Sequence, residues 1–109
     1  MRYLLLPVLM LVVGSTTAFA DAIDGDWCSP KQQHVSIDGP VIVTPGGQRT
    51  TGNYGRHTFD YIIPDGEAGA GDAISMTQHS EQRITVRRKP AGSEEFSDPV
   101  PWRRCNLTS

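Results

Sequence analysis

Three histidines, His34, His57 and His79, are the residues of this sequence most suited to metal or acid–base chemistry. Three imidazoles brought together could bind zinc, but their separations match no known ligand motif. His57 and Asp60 lie an odd number of residues apart, so they would face opposite sides of a regular strand. No serine or cysteine stands in a recognisable nucleophile elbow. We therefore predict that the protein is not an enzyme and uses no metal or cofactor.

Acidic residues cluster in one glycine-rich stretch, at Asp65, Glu67 and Asp72. Carboxylate oxygens in a flexible loop could hold calcium weakly. The spacing departs from the twelve-residue calcium loop, and the stretch is interpreted as a solvated acidic turn.

Basic residues concentrate near the C-terminus, at Arg83, Arg87, Arg88, Lys89, Arg103 and Arg104. Two strands carrying them, if paired, would present a basic face to an acidic partner or a phosphate. Ordinary solvated charge is the preferred interpretation, because mixed charge is the default for a protein surface.

The N-terminus has the pattern of a secretory signal peptide. A single basic residue, Arg2, precedes an apolar run over residues 4–13, and Ala18-Phe19-Ala20 provides a small-residue cleavage site. The apolar run is too short for a membrane span, which needs about 20 residues. We expect residues 1–20 to be removed and 21–109 to form one exported domain, periplasmic or secreted, with no membrane insertion of the mature chain.

Charge and cysteine content narrow the class of the mature chain. Without Arg2 it has nine Lys and Arg against twelve Asp and Glu, a formal charge of −3. This mild charge gives no reason to expect a nucleic-acid partner. Two cysteines in an exported chain suit one disulfide. A Cys28–Cys105 bond would close a loop that contains almost the whole domain. No C-x-x-C redox spacing is present.

Alternating apolar residues between Gly and Pro turn signals predict an all-β fold of seven or eight short strands. The clearest strand is 56–63, with Phe59, Tyr61 and Ile63 on one face. Short connections favour an up-and-down antiparallel meander. Its first and last strands could pair and close a small barrel, which would remove the exposed edges.

The two ends of this domain resemble those of a known superfamily. Gly25-Asp26-Trp27 is similar to the G-x-W motif of lipocalins and other calycins, and Arg103 or Arg104 stands where the last strand of that superfamily supplies an arginine. The resemblance implies a tryptophan at the closed end of the barrel with a guanidinium across its face, a cation–π contact. In size the chain is similar to the small periplasmic barrels that inhibit secreted metalloproteases, although only residues 21–24 precede the motif.

These observations favour a non-enzymatic, monomeric barrel that acts through its surface on an unidentified protein partner, as an interaction or inhibitor-like module. A barrel of this size is expected to be filled by its own side chains. The alternative is a carrier of a small apolar ligand in the barrel mouth, near Phe59, Tyr61 and Met76. A pocket of roughly 300 Å³ or more lined by these apolar groups would favour the carrier.

Overall fold

The computed structural model describes residues 22–105, so the predicted signal peptide and residues 106–109 lie outside the described part of the chain. All the regular secondary structure of that part is β-strand. No helix long and apolar enough to cross a bilayer is found there. The strands are β1 (Gly25–Cys28), β2 (His34–Asp38), β3 (Val41–Val43), β4 (Arg49–Thr51), β5 (Asn53–Gly55), β6 (Thr58–Ile62), β7 (Ala73–Ser80), β8 (Arg83–Lys89) and β9 (Val100–Arg104).

All of these strands belong to one antiparallel sheet, in the order β4-β3-β2-β1-β9-β8-β7-β6-β5. The first and last strands pair, with Trp27 opposite Arg104 and Cys28 opposite Arg103. The sheet forms a nearly closed barrel. The predicted all-β, up-and-down barrel is therefore confirmed, with nine strands among the described residues where the sequence predicted seven or eight.

The extra strand arises because one bent stretch, residues 49–55, serves two neighbours. β4 pairs with β3, β5 pairs with β6, and only Gly52 separates β4 from β5. A Cβ at Gly52 would lie 2.3 Å from the carbonyl oxygen of Asp60 and 2.8 Å from the ring of Phe59. The Gly52 amide still donates to the carbonyl of Pro40, at 2.9 Å. Glycine thus permits the close approach that brings the two ends of the sheet together.

The core is formed by the inward-facing residue of each alternation. In β6 the burial pattern alternates strictly, with Phe59 and Tyr61 buried between exposed neighbours. The same period places one or two apolar side chains of β2, β3, β7, β8 and β9 inside. The most completely buried large apolar side chains are those of Trp27, Phe59, Ile23, Ile42, Met76, Ile84 and Val35. Burying one such side chain contributes about 1.5–3 kcal/mol.

One end of the barrel is closed by the contact between Trp27 and Arg104. The guanidinium carbon lies 4.0 Å from the centroid of the indole, which is fully buried. Of the two arginines that could match the calycin pattern, the structure therefore identifies Arg104, whereas Arg103 is exposed. Gly25 has φ +118°, and a Cβ there would lie 2.5 Å from Nη1 of Arg104. Glycine at this position leaves the space that the guanidinium occupies.

Arg104 also holds the segment that precedes β1. Its Nη1 donates to the carbonyl of Asp24 (2.6 Å), Nη2 to that of Ala22 (2.9 Å), and Nε to that of Glu81 (2.7 Å). The Trp27 indole donates to the carbonyl of Ile23, at 2.7 Å. Burial lowers the pKa of Arg104, and the carboxylate of Asp24 opposes that effect. Residues 22–24 therefore cover the closed end.

The Cys28–Cys105 disulfide is present as predicted, with Cα atoms 5.0 Å apart and a sequence separation of 77. Trp27 points inward, so its neighbour Cys28 points outward, and the bond lies on the outer face of the barrel. In the disputed chain-entropy model a loop of this length contributes roughly 4–5 kcal/mol. The disulfide and the Arg104 contact thus join the same two strands from opposite faces.

We predict that Gly52→Ala destabilises the protein by about 1–3 kcal/mol, because the new methyl group must displace the backbone of β6. Gly55→Ala is the matched control in the same bent stretch. Its Cβ would meet the hydroxyl of Thr58, a side-chain atom that can rotate away. Urea denaturation measures both variants, and equal midpoints for them would contradict a special role for Gly52.

We predict that Arg104→Lys lowers stability by about 1.5–3 kcal/mol, because lysine keeps the charge but cannot donate to three carbonyls in one plane. Arg103→Lys, one residue earlier and exposed, should stay within about 0.5 kcal/mol of the original protein. The free energy of unfolding of each variant provides the comparison. Similar losses in both would show that Arg104 contributes only its charge.

Candidate ligand site at the open end of the barrel

The end opposite Arg104 is surrounded by four loops, residues 29–33, 44–48, 63–72 and 90–99, which together we name the mouth. A cavity of about 680 Å³ opens between them. The expectation that side chains would fill the barrel is therefore wrong at this end. A volume of this size lies within the range of about 300–1,000 Å³ that is usual for small-molecule sites.

The cavity floor and walls are mainly apolar. The apolar lining comes from five strands, β2, β6, β7, β8 and β9, and from the residue that follows β6. It consists of Val35, Tyr61, Ile63, Ile74, Met76, Val86, Val100 and Trp102. Val100 is 44 % exposed although its place in the β9 alternation directs it inward. Its exposure shows that the apolar surface at this level of the barrel faces open space.

The three residues proposed from the sequence as ligand-lining divide into two groups. Tyr61 and Met76 line the cavity. Phe59 is fully buried beneath it, with its ring centroid 6.2 Å from that of Tyr61. Phe59 therefore supports the position of the Tyr61 ring and does not itself face the open space.

The polar side chains of the mouth are held by contacts between loops. The hydroxyl of Thr44 donates to Glu67, and Gln48 Nε2 donates to the carbonyl of Asp65 at 2.9 Å. A Cβ at Gly46 would lie 2.3 Å from Cδ of Glu67, so glycine gives this carboxylate its place. Loops 44–48 and 63–72 are thus fastened to each other across one side of the cavity.

An ion pair fastens the other side. Arg88 Nε lies 2.7 Å from Oδ2 of Asp72, whose Oδ1 accepts from the amide of Ala91 at 2.9 Å. The Ala91 amide and, after it, Arg88 lower the pKa of Asp72. The backbone of Arg88 is also bonded to Ser97, through the Ser97 amide (2.7 Å) and the Ser97 hydroxyl (3.0 Å). Both long loops are therefore anchored at β8.

Tyr61 places a hydroxyl group within this apolar lining. Burial, and then the nearby carboxylate of Glu67, raise its pKa to about 12, while Arg88 acts in the opposite direction. The phenol is therefore protonated at neutral pH and keeps an O–H group that can donate a hydrogen bond. Among the described residues, no hydrogen-bond partner for this hydroxyl is found.

A second depression, of about 540 Å³, lies at the closed end. Its walls include the charged side chains of Asp24, Asp38, Glu81 and Arg104, and it is more open to solvent than the cavity of the mouth. Asp24 is buried and accepts from the Gly39 amide (2.8 Å) and from the hydroxyl of Tyr54, whose pKa this bond raises. These groups hold the fold together, so the mouth is the better candidate site.

The histidines are spread over the molecule. His34 Nε2 lies 2.9 Å from Oδ1 of Asp26, and His79 Nε2 lies 2.8 Å from the hydroxyl of Thr85. His57, expected within a strand, lies instead in the turn between β5 and β6. In the region 22–105 no group of three or more His, Cys, Asp and Glu side chains is placed to hold a metal.

The predicted basic face is divided by the strand alternation. Arg88 faces the mouth, Arg104 covers Trp27, and the Lys89 ammonium lies 5.5 Å from the centroid of the Phe96 ring. Arg83 and Arg103 remain directly opposite each other on the exposed side of β8 and β9. A continuous face of six cations is therefore absent from the described residues.

Sequence reasoning did not identify Lys31, Val86, Val100 or Trp102 as lining residues. The inward alternation of β8 and β9 was visible, but it does not tell whether an inward side chain meets a partner or open space. The small side chains at this level, including Gly46, Gly66 and Ala68, were the available signal.

Comparison with protein-family models, with curated proteins and with solved structures finds no match to this chain.

Proposed function

We propose that the protein binds a small, largely apolar molecule in the cavity of the mouth. The observation that carries this proposal is the 680 Å³ space lined by Tyr61, Met76, Trp102 and several aliphatic side chains. An eight-stranded barrel is just wide enough to be filled by side chains or to hold one small ligand. Here β4 and β5 together form one bent strand, residues 49–55, so the barrel has effectively eight strands.

The proposal extends to the type of barrel and to its place of work. An arginine of the last strand lies across the tryptophan of Gly25-Asp26-Trp27, as in the calycin pattern, which supports a lipocalin-like assignment. The disulfide supports an exported protein, since such bonds persist in oxidising compartments. A carrier outside the cytoplasm would keep a poorly soluble molecule out of water, without chemistry of its own.

The test is a titration of the purified, oxidised protein with N-phenyl-1-naphthylamine, a neutral probe whose fluorescence rises in apolar surroundings. We predict saturable binding, and we predict that Val100→Phe weakens it about tenfold, or ~1.4 kcal/mol, by occupying the cavity. Ile62→Phe is the matched control, because Ile62 is 56 % exposed and does not line the cavity. Absence of saturable binding to the original protein would rule the proposal out.

A second candidate function is interaction with an acidic partner through Arg83 and Arg103. These arginines are cross-strand neighbours, and neither forms an ion pair with the rest of residues 22–105. Like charges directly opposite each other destabilise a sheet. The repulsion between the two arginines lowers stability, and no nearby acid of the described residues relieves it. An acidic partner bound to this surface would supply the missing negative charge.

For this candidate we predict opposite effects on stability and binding. Arg83→Thr should raise the free energy of unfolding by about 0.2–1 kcal/mol by removing the repulsion. The same change should reduce retention on immobilised poly-L-glutamate, measured at low salt because exposed charges are screened. Arg49→Thr, an exposed arginine of β4, is the control. If both variants lose retention equally, the effect is one of net charge and the candidate fails.

A further inference from the structure

A line of cations follows β8 on the outer face of the barrel. Successive side chains of a strand point to opposite faces of the sheet. Because Ile84 is buried inside, Arg83, Arg87 and Lys89 lie on the outer face of β8. On β9, Arg103 lies outward directly opposite Arg83. We name these four cations the basic stripe.

The strands around the basic stripe carry no negative charge. β7, β8 and β9 contain no Asp or Glu, although the chain has a formal charge of −2. None of the four cations forms an ion pair within residues 22–105. On the flanking strands the outward acids are Asp60 of β6 and Asp26 of β1, and Asp26 is paired with His34. The positive charge of the stripe is therefore available to a partner.

The surface beside the stripe is flat and polar. The register of β7 places a small side chain directly opposite each cation of β8: Ala73 opposite Lys89, Ser75 opposite Arg87 and Ser80 opposite Arg83. Thr77, which is exposed, lies between Ser75 and Ser80 on the same face. Of Phe, Tyr and Trp, these three strands contain only Trp102, which is buried. The surface thus offers hydroxyl groups but no ring on which a nucleic-acid base could stack.

Resting on the second candidate function, we propose that the acidic partner is a linear acidic polysaccharide that lies along β8. β8 is paired on both sides, with β7 and with β9, so an acidic peptide cannot add to it as a new strand. Guanidinium groups bind carboxylates with two parallel hydrogen bonds. The hydroxyl groups of Ser75 and Thr77 lie beside the stripe, where they can bond to sugar hydroxyls. From Arg83 to Lys89 the stripe extends about 20 Å, at ~3.4 Å per residue, so several sugar units are needed to engage all of it.

The experiment is a calorimetric titration of the purified, oxidised protein at low salt. It compares polygalacturonate, which has one carboxylate per sugar unit, with poly-L-glutamate of the same number of units. We expect polygalacturonate to bind several-fold more tightly, because its hydroxyl groups add hydrogen bonds, and galacturonate monomer to bind about a hundredfold more weakly than the polymer. Equal binding of the two polymers, or equal binding of polymer and monomer, would overturn the polysaccharide proposal. Unchanged retention of Arg83→Thr on poly-L-glutamate would instead remove the second candidate function itself.

Variants test whether the stripe is the binding surface. Thr77→Glu places a carboxylate diagonally across from Arg83 and Arg87, and it should weaken polygalacturonate binding about tenfold. Thr51→Glu adds the same charge at an exposed position of β4 and is the matched control, expected to stay within about twofold of the original protein. Equal losses in both variants would show an effect of net charge alone and contradict the proposal.

A hydroxyl deletion tests the preference for sugar. Thr77→Val keeps the shape of the side chain and removes its hydroxyl group. It should reduce the preference for polygalacturonate over poly-L-glutamate and leave the affinity for poly-L-glutamate unchanged. An unaltered preference would contradict the role of this hydroxyl in binding a polysaccharide.

Discussion

The contact of Arg104 with Trp27 is the constraint on which the rest of the structure depends. It joins the last strand to the first, fixes residues 22–24 through two of their carbonyls, and reaches the β7–β8 turn at Glu81. The disulfide joins the same two strands on the outer face. A sheet in this order has edges only at β4 and β5. Once β1 and β9 are paired, the bend at Gly52 is sufficient to join the two edge strands into one bent strand.

The barrel is consequently asymmetric along its axis. At the closed end the interior holds the indole of Trp27 and the guanidinium that covers it, so little space is left. At the mouth three of the eight apolar lining side chains are valines, and Gly46, Gly66 and Ala68 lie in the loops. Among the described residues no side chain there extends across the barrel as Arg104 does at the closed end, and a cavity is left. The closed end is thereby packed, whereas the other end keeps an open cavity.

The outcome of sequence reasoning follows from the same physics. The period of two in stretches such as 56–63 predicted the strands and their inward residues, because burial on one face fixes register. β5 was not predicted, since Asn53-Tyr54-Gly55 has no apolar alternation and is held by its neighbours. Neither the choice of Arg104 over Arg103 nor the existence of the cavity could be predicted. Both depend on how side chains from distant strands meet, and no local pattern records that.

The distribution of hydrogen-bond partners separates structure from site. At the closed end the indole of Trp27, the guanidinium of Arg104 and the carboxylate of Asp24 each contact protein groups, which is how buried polar groups stabilise a fold. Gln78 is an exception there, since its Oε1 has no partner among the described residues. In the mouth the hydroxyl of Tyr61 also has no partner among the described residues, but it borders the open cavity. An apolar space that the fold does not fill is the physical basis for proposing a function at the mouth.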